Sequence, residues 1–108
     1  MTVLTDAPGL TVVPAPRAEV TVTVTGALDG TTLPRVREQL EQALASRPAG
    51  LAVDLSDCTF VDASALAVLL DVHRRMSRTG SVLTLLGCCP RVLRLLSLTG
   101  LRRVFALA

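Results

Sequence analysis

The chain has 108 residues, of which 50% are hydrophobic and 19% are charged, and its net charge is +2. This length suits one domain with a real core, and the composition excludes an intrinsically disordered chain. Trp and Tyr are absent and only Phe60 and Phe105 are aromatic, so the stacking platforms of single-stranded nucleic-acid binders are missing. We expect no direct nucleic-acid binding. No apolar run reaches the length of a membrane span, and we expect a cytoplasmic protein.

The first half of the chain predicts two strands and a helix. Residues 1–9 are expected to form a flexible tail, and a short strand is expected over residues 10–13. Val and Thr alternate over residues 20–25, which is a strong strand pattern. Residues 26–30 are expected to break that strand. Apolar residues then recur at helical spacing over residues 33–44.

The central segment joins a strand to a helix through a small polar loop. The apolar strand over residues 51–55 is expected to end in a turn at residues 56–59, and the apolar spacing becomes helical from Leu66 to Met76. Asp62 stands at the changeover, where its side chain can accept hydrogen bonds from the first helical turn. We expect function at this junction.

The last third predicts two strands and one more helix. Residues 82–86 form a continuous apolar strand, Pro90 opens a helix that Gly100 closes, and residues 104–107 form a last strand. The order is β-β-α-β-α-β-α-β. It predicts a single α/β domain over residues 10–108, with a mixed, mainly parallel sheet of four to five strands and about three helices packed on it.

Two surface features of the second half leave alternatives open. Residues 72–108 hold seven Arg and no acidic residue, which suits either a basic face that steers an acidic partner or ordinary solvated positions on separate elements. The second interpretation is favoured because these Arg residues need not converge. Leu93 and Leu98 lie off the main apolar face of the last helix. They indicate either a hydrophobic contact or burial against the sheet, and self-association into a homodimer stays open.

Enzymatic and metal sites find little support in the sequence. The three cysteines include no C-x-x-C pair and His73 is the only histidine, so reduced, buried thiols are expected and no metal site. Asp54, Asp57 and Asp62 gather around one strand and loop, which suggests magnesium, but a turn and a helix cap explain Asp57 and Asp62. No phosphate-binding glycine loop or nucleophile elbow is present. We expect no enzyme and no cofactor.

Three segments together resemble the STAS domain family. They are Gly26-Ala27-Leu28-Asp29, VDLSDCTFVDASALAVLL at residues 53–70 and VLRLLSLTGLRRVF at residues 92–105. The resemblance covers roughly residues 10–107 and implies a STAS-like fold and a bacterial anti-sigma factor antagonist. Such proteins bind an anti-sigma factor, a serine kinase with a histidine-kinase-like ATPase fold, and release the sigma factor. The kinase switches them off by phosphorylating a Ser or Thr just after a loop aspartate.

The resemblance implies partner contacts at Asp29, Asp62, Ala63, Ser64 and Ala65. The family's usual Asp-Ser-Ser/Thr-Gly is replaced here by Asp62-Ala63-Ser64-Ala65, so the usual phosphoacceptor position holds Ala63, which has no hydroxyl. Ser64 is the substitute phosphorylation candidate, and it is equally a plain first-turn serine that bonds a backbone group. Ala65 replaces the family's glycine and is expected to add a methyl group at the contact surface.

The same resemblance leaves a second function open. The chain could be a STAS subunit of an ABC-type lipid transport complex that docks on its ATPase, and gene neighbourhood would distinguish the two. A small nucleotide-binding module ranks lower, because the sequence lacks a phosphate-binding glycine loop.

Overall fold

A computed structural model describes residues 19–108 of the chain. The tail expected over residues 1–9 and the strand expected over residues 10–13 lie outside the described residues. Seven elements follow one another: β1 (Glu19–Leu28), α1 (Leu33–Ala45), β2 (Gly50–Val61), α2 (Ala63–Ser77), β3 (Val82–Leu86), α3 (Pro90–Leu98) and β4 (Ala106–Leu107).

The four strands form one sheet in the order β1-β2-β3-β4, and each neighbouring pair is parallel. Each parallel connection contains one helix, as a crossover between parallel strands requires. The predicted α/β class is therefore confirmed. Because the strands are parallel, their carboxyl ends, and the loops that follow them, meet at one edge of the sheet.

An aliphatic core covers one face of this sheet. Alternate strand residues such as Val22, Val53 and Leu85 are buried, as the period of two in a strand requires. The helix α1 packs against β1 and α2, and α2 packs against β3. The intervening residues Thr21 and Thr23 are exposed, so the Val/Thr alternation separates a buried face from a polar one.

The strand β2 is longer than the sequence predicts, because it continues through residues 56–59. The register between β1 and β2 shifts twice along this stretch, and each shift adds one residue to β2. Such insertions are β-bulges. They change the spacing of the buried positions from two to three, at Leu55, Cys58 and Val61. The turn prediction is wrong, because pairing with β1 satisfies the backbone of this polar stretch.

The ends of two other strands also differ from prediction. The strand β1 does not break at residues 26–30 but runs to Leu28, whose side chain is fully buried and whose backbone pairs with Val61. Burial at the end of β1 thus outweighs the turn tendency of the sequence. The last strand begins at Ala106 and not at residue 104, because turns occupy residues 102–104.

The helices follow the predicted pattern closely. Pro34 lies in the first turn of α1, and Pro90 opens α3. His73 is half-buried on α2, with its ring 5.7 Å from that of Phe105 at an interplanar angle of 72°, an edge-to-face contact. His73 is therefore a packed side chain. None of the helices in residues 19–108 has the length and apolar character needed to cross a bilayer.

Candidate functional site

The junction between β2 and α2 is built around the side chain of Asp62. Asp62 is the N-cap of α2, with extended backbone angles (φ −101°, ψ 178°), and its Oδ1 accepts a hydrogen bond from the backbone N–H of Ala65 at 2.9 Å. The backbone N–H of Asp62 donates to the carbonyl oxygen of Leu28 at 3.2 Å. The predicted helix cap is confirmed, and the cap is attached to the end of β1.

Ser64 lies in the first turn of α2 with its side chain exposed. Its Oγ donates to Oδ1 of Asp62 at 2.7 Å, so one carboxylate oxygen receives both the hydroxyl and the first-turn N–H. The hydroxyl is therefore held by a carboxylate and not by a backbone group, which differs from the plain first-turn serine that the sequence also allowed. The oxygen is at the surface, where a partner or a modifying enzyme can reach it.

The two alanines beside Ser64 point in opposite directions. Ala63 is exposed, whereas Ala65 is fully buried at 0% exposure. Ala65 packs into the core because its helical position lies on the same face as Leu66 and Leu69, which are also buried. The expectation that Ala65 adds a methyl group to the contact surface is wrong, since this methyl group does not reach the surface.

Asp29 organises the neighbouring loop, between β1 and α1. Its Oδ1 accepts hydrogen bonds from the hydroxyl of Thr31 at 2.6 Å, from the backbone N–H of Thr31 at 2.9 Å and from the backbone N–H of Thr32 at 3.3 Å. The hydroxyl of Thr32 donates in turn to the carbonyl oxygen of Ala27 at 2.8 Å. Asp usually stabilises a turn in this way, by accepting hydrogen bonds from the backbone N–H groups of residues two and three positions later.

The parallel pairing of β1 and β2 brings the two aspartates together. Leu28 and Val61 are register partners, so the residues that follow them emerge side by side. The Ser64 hydroxyl is the main cause that lowers the pKa of Asp62, followed by the N–H of Ala65, while the charge of Asp29 acts in the opposite direction. The pKa of Asp29 is also lowered, chiefly by the Thr31 hydroxyl. Both carboxylates are therefore ionised at neutral pH, and this edge presents two negative charges beside the exposed Ser64 hydroxyl.

The remaining candidate groups do not form a metal site. Cys58 is buried and Cys88 and Cys89 are half-buried, and all three are free thiols. Burial raises the pKa of Cys58 and of Cys88, which keeps both thiols protonated at neutral pH. The carboxylate of Asp54 accepts a hydrogen bond from the Ser56 hydroxyl at 2.6 Å. Within residues 19–108, no group of three His, Cys, Asp or Glu side chains is placed to hold a metal ion.

An open groove that sequence analysis missed lies beside Asp62, between the end of β2 and α3. Its volume is about 410 Å³. The side chains that line it include Phe60, Asp62 and Ala63 on one wall and Arg91, Arg94, Leu95 and Leu98 on the other. Leu98 is 78% exposed, so the alternative of burial against the sheet is wrong for this residue. The position of Leu98 off the main apolar face of α3 was the sequence feature that could have indicated this groove. The sequence could not show that Phe60 lies across from it.

Comparison with known proteins identifies the family of the chain. The chain matches the family model described as "Mlab, STAS domain" over residues 11–107. It is 32% identical over 78 residues to an anti-sigma-B factor antagonist of Listeria monocytogenes, covering 72% of this chain and 68% of that protein. It is 29% identical over 86 residues to the anti-sigma-B factor antagonist of Bacillus subtilis, covering 80% and 78%.

A solved structure shows the same fold. The crystal structure of an anti-sigma factor antagonist from Mycobacterium paratuberculosis superimposes with a TM-score of 0.74 at 25% sequence identity, covering 99% of this chain and 83% of that one. The STAS-like fold predicted from the sequence is thus confirmed.

Proposed function

This chain belongs to the STAS domain family, and from that premise we propose that it is a non-enzymatic anti-sigma factor antagonist. Its partner is an anti-sigma factor, a serine kinase with a histidine-kinase-like ATPase fold, and the complex forms in the cytoplasm. The contact surface consists of Asp29, Asp62, Ala63 and Ser64, together with the exposed side of α2. Ala65 supports this surface from the core without touching the partner.

The observation that carries this proposal is the exposed hydroxyl of Ser64 beside two ionised carboxylates. Asp62 holds that hydroxyl at 2.7 Å, and the loop of Asp29 lies next to it. Both loops are stiffened by their own hydrogen bonds, so the surface needs little ordering when a partner docks. A chain with 32% identity to an anti-sigma-B factor antagonist carries this arrangement, which supports the same class of partner.

The position of Ser64 suits a switch that acts on binding and leaves the fold intact. A phosphate on Ser64 adds about 1.5 to 2 negative charges at pH 7. The free N–H groups and the dipole at the N-terminus of α2 favour an anion there, so the domain can remain folded. In a docked interface, the same phosphate lies beside the carboxylate of Asp62 and must lose its water, which opposes binding.

Ala63 changes the regulation that the resemblance implies. Because the usual phosphoacceptor position has no hydroxyl, phosphorylation in this chain falls on Ser64, one residue further into the helix. Ala63 is exposed, so it contributes a small apolar contact in place of a modified side chain.

The test is binding to purified anti-sigma factors encoded in the same genome, measured by isothermal titration calorimetry with Mg-ADP. We expect Ser64→Glu to weaken binding more than about tenfold, a loss of about 1.4 kcal/mol, while circular dichroism stays native-like. Ser46→Glu is the matched control, since it places the same charge at an exposed serine just after α1, outside the proposed contact surface, and we expect it to bind like the wild type. Equal affinity of the wild type and Ser64→Glu for the partner would refute the contact surface.

Phosphorylation is measured in a separate experiment. We expect incubation with the partner and Mg-ATP to add the mass of one phosphate to the intact chain, and Ser64→Ala to abolish the gain. Persistence of the gain in Ser64→Ala would place the modification elsewhere. Binding to an ABC ATPase in preference to every anti-sigma factor would refute the proposed function and favour the transport subunit.

A further inference from the structure

The groove between β2 and α3 contains large apolar side chains that remain exposed in the folded domain. Phe60 is 43% exposed and Leu98 is 78% exposed, and the two lie on opposite walls. Leu95, one helical turn before Leu98, is packed partly against the core. Large apolar side chains that line an open groove in this way are typical of surfaces that bind other proteins.

The same wall of α3 is basic at its other end. Arg91, Arg94, Leu95 and Leu98 lie at i, i+3, i+4 and i+7, which places them along one stripe of the helix. Arg91 and Arg94 are exposed, and within residues 19–108 neither makes an ion pair. No acidic residue occurs after Asp71, so α3 and its flanking loops hold no carboxylate, and Asp62 is the one acidic residue in the described part of the chain that lines the groove.

We propose that this groove binds an acidic amphipathic helix of the anti-sigma factor. The apolar side chains of the partner helix contact Phe60, Leu95 and Leu98, and the carboxylates of that helix contact Arg91 and Arg94. A helix matches the stripe because its own side chains repeat at the same spacing. Carboxylates suit arginine because they accept the paired N–H groups of a guanidinium.

The groove also continues the contact surface of the proposed function. Asp62 and Ala63 belong to both, so a partner seated over Ser64 reaches the groove without crossing another element. The proposal therefore rests on the proposed function for the identity of the partner. The chemistry of the groove can be tested without that partner.

The first test uses a synthetic helical peptide with Leu and Glu at i, i+3, i+4 and i+7 spacing, added to the ¹⁵N-labelled full chain. We expect amide shifts confined to residues 60–63 and 91–98. A peptide with Lys in place of every Glu is the control, and we expect it to bind at least about tenfold more weakly, equivalent to about 1.4 kcal/mol. Equal binding of the two peptides, or shifts elsewhere on the chain, would overturn the proposal.

Two variants identify the groove as the binding surface. Leu98→Gln removes an apolar contact and Arg94→Glu reverses a charge, and both positions are exposed, so the fold is expected to tolerate them. We expect each to weaken the Leu/Glu peptide about tenfold. Val82→Gln is matched to the first, because Val82 is 55% exposed on β3, and Arg103→Glu is matched to the second. If the controls weaken binding as much as the groove variants do, the proposal is wrong.

Other occupants are distinguished by separate measurements. Sedimentation of the chain with phosphatidylglycerol vesicles, lost in Arg94→Glu, with no binding of the Leu/Glu peptide, would show an anionic membrane surface and overturn the proposal. A concentration-dependent dimer that Leu98→Gln dissociates would show a second copy of the chain and overturn it as well.

The last measurement separates this proposal from the proposed function. We expect Leu98→Gln and Arg94→Glu to weaken binding to the anti-sigma factor about tenfold. If the wild type binds the anti-sigma factor and both variants bind equally well, the groove proposal is wrong and the proposed function stands. If the wild type binds no anti-sigma factor, the proposed function and the identity of the helix donor fail, while the peptide titration still decides the chemistry of the groove.

Discussion

Replacing Gly87 by Ala probes the loop that joins β3 to α3 and so positions one wall of the groove. Gly87 has a φ of +67°, and its backbone N–H donates to the carbonyl oxygen of Ala108 at 3.0 Å. A Cβ at this position would collide with Oγ of Ser56 and lie 3.0 Å from its Cβ and 3.1 Å from its Cα. The hydroxyl can rotate away but the Cα cannot, so β2 or the loop has to shift.

The expected cost has two parts. A non-glycine residue in the left-handed region costs about 1–2 kcal/mol. Crowding against Ser56 adds about 1–3 kcal/mol, the usual range for overpacking a tight site. We therefore expect Gly87→Ala to lower the free energy of unfolding by roughly 2–5 kcal/mol. A substitution at Gly80 measures the cost of the left-handed backbone alone, because its φ is +74° but nothing lies within 4 Å of an added Cβ. Gly80→Ala should cost only about 1–2 kcal/mol.

The assay is chemical denaturation followed by circular dichroism, with thermal melting as a check. Each kcal/mol corresponds to a fall in Tm of about 4–8 °C in a domain of this size. Ser56→Gly removes both side-chain atoms that oppose the new methyl group, so Gly87→Ala should cost less in that background. The contact with the Cα remains, and the rescue should be partial. Equal costs at Gly87 and Gly80, or no rescue by Ser56→Gly, would refute the reasoning.

Charges at the surface make two more measurements informative. Because hydrogen bonds lower the pKa of Asp29 and Asp62 in the folded state, each stabilises the fold above its unfolded value of about 4, and this stability is lost as pH falls through the lowered pKa. Replacing both by Asn should flatten the fall of Tm in acid, and an equally steep fall would contradict this. Arg75 and Glu41 join α2 to α1 with Nη2–Oε2 at 2.9 Å, and both are more than one-third exposed. A double-mutant cycle with Gln at both positions should give a coupling below about 1 kcal/mol that shrinks in high salt. A larger coupling that resists salt would contradict the screening argument.

Local sequence determined the elements whose stability comes from neighbouring residues. The three helices begin and end close to their predicted residues, because apolar spacing and first-turn prolines act within a few positions of the chain. The cap by Asp62 belongs to the same class, since its acceptor reaches a backbone N–H only three residues away. The position of Ser64 at the start of α2 followed directly from that cap.

Only the tertiary structure decided how distant segments meet. Pairing with β1 kept residues 56–59 in β2, although their composition is typical of a turn, because a parallel neighbour satisfied the backbone groups that a turn would otherwise expose. Ala65 turned inward because the face of α2 that meets the sheet is set by packing. The approach of Asp29 to Asp62, and of Leu98 to Phe60, depends on strand order and on the path of α3. Such contacts join residues more than thirty positions apart, and no short-range pattern in the chain encodes them.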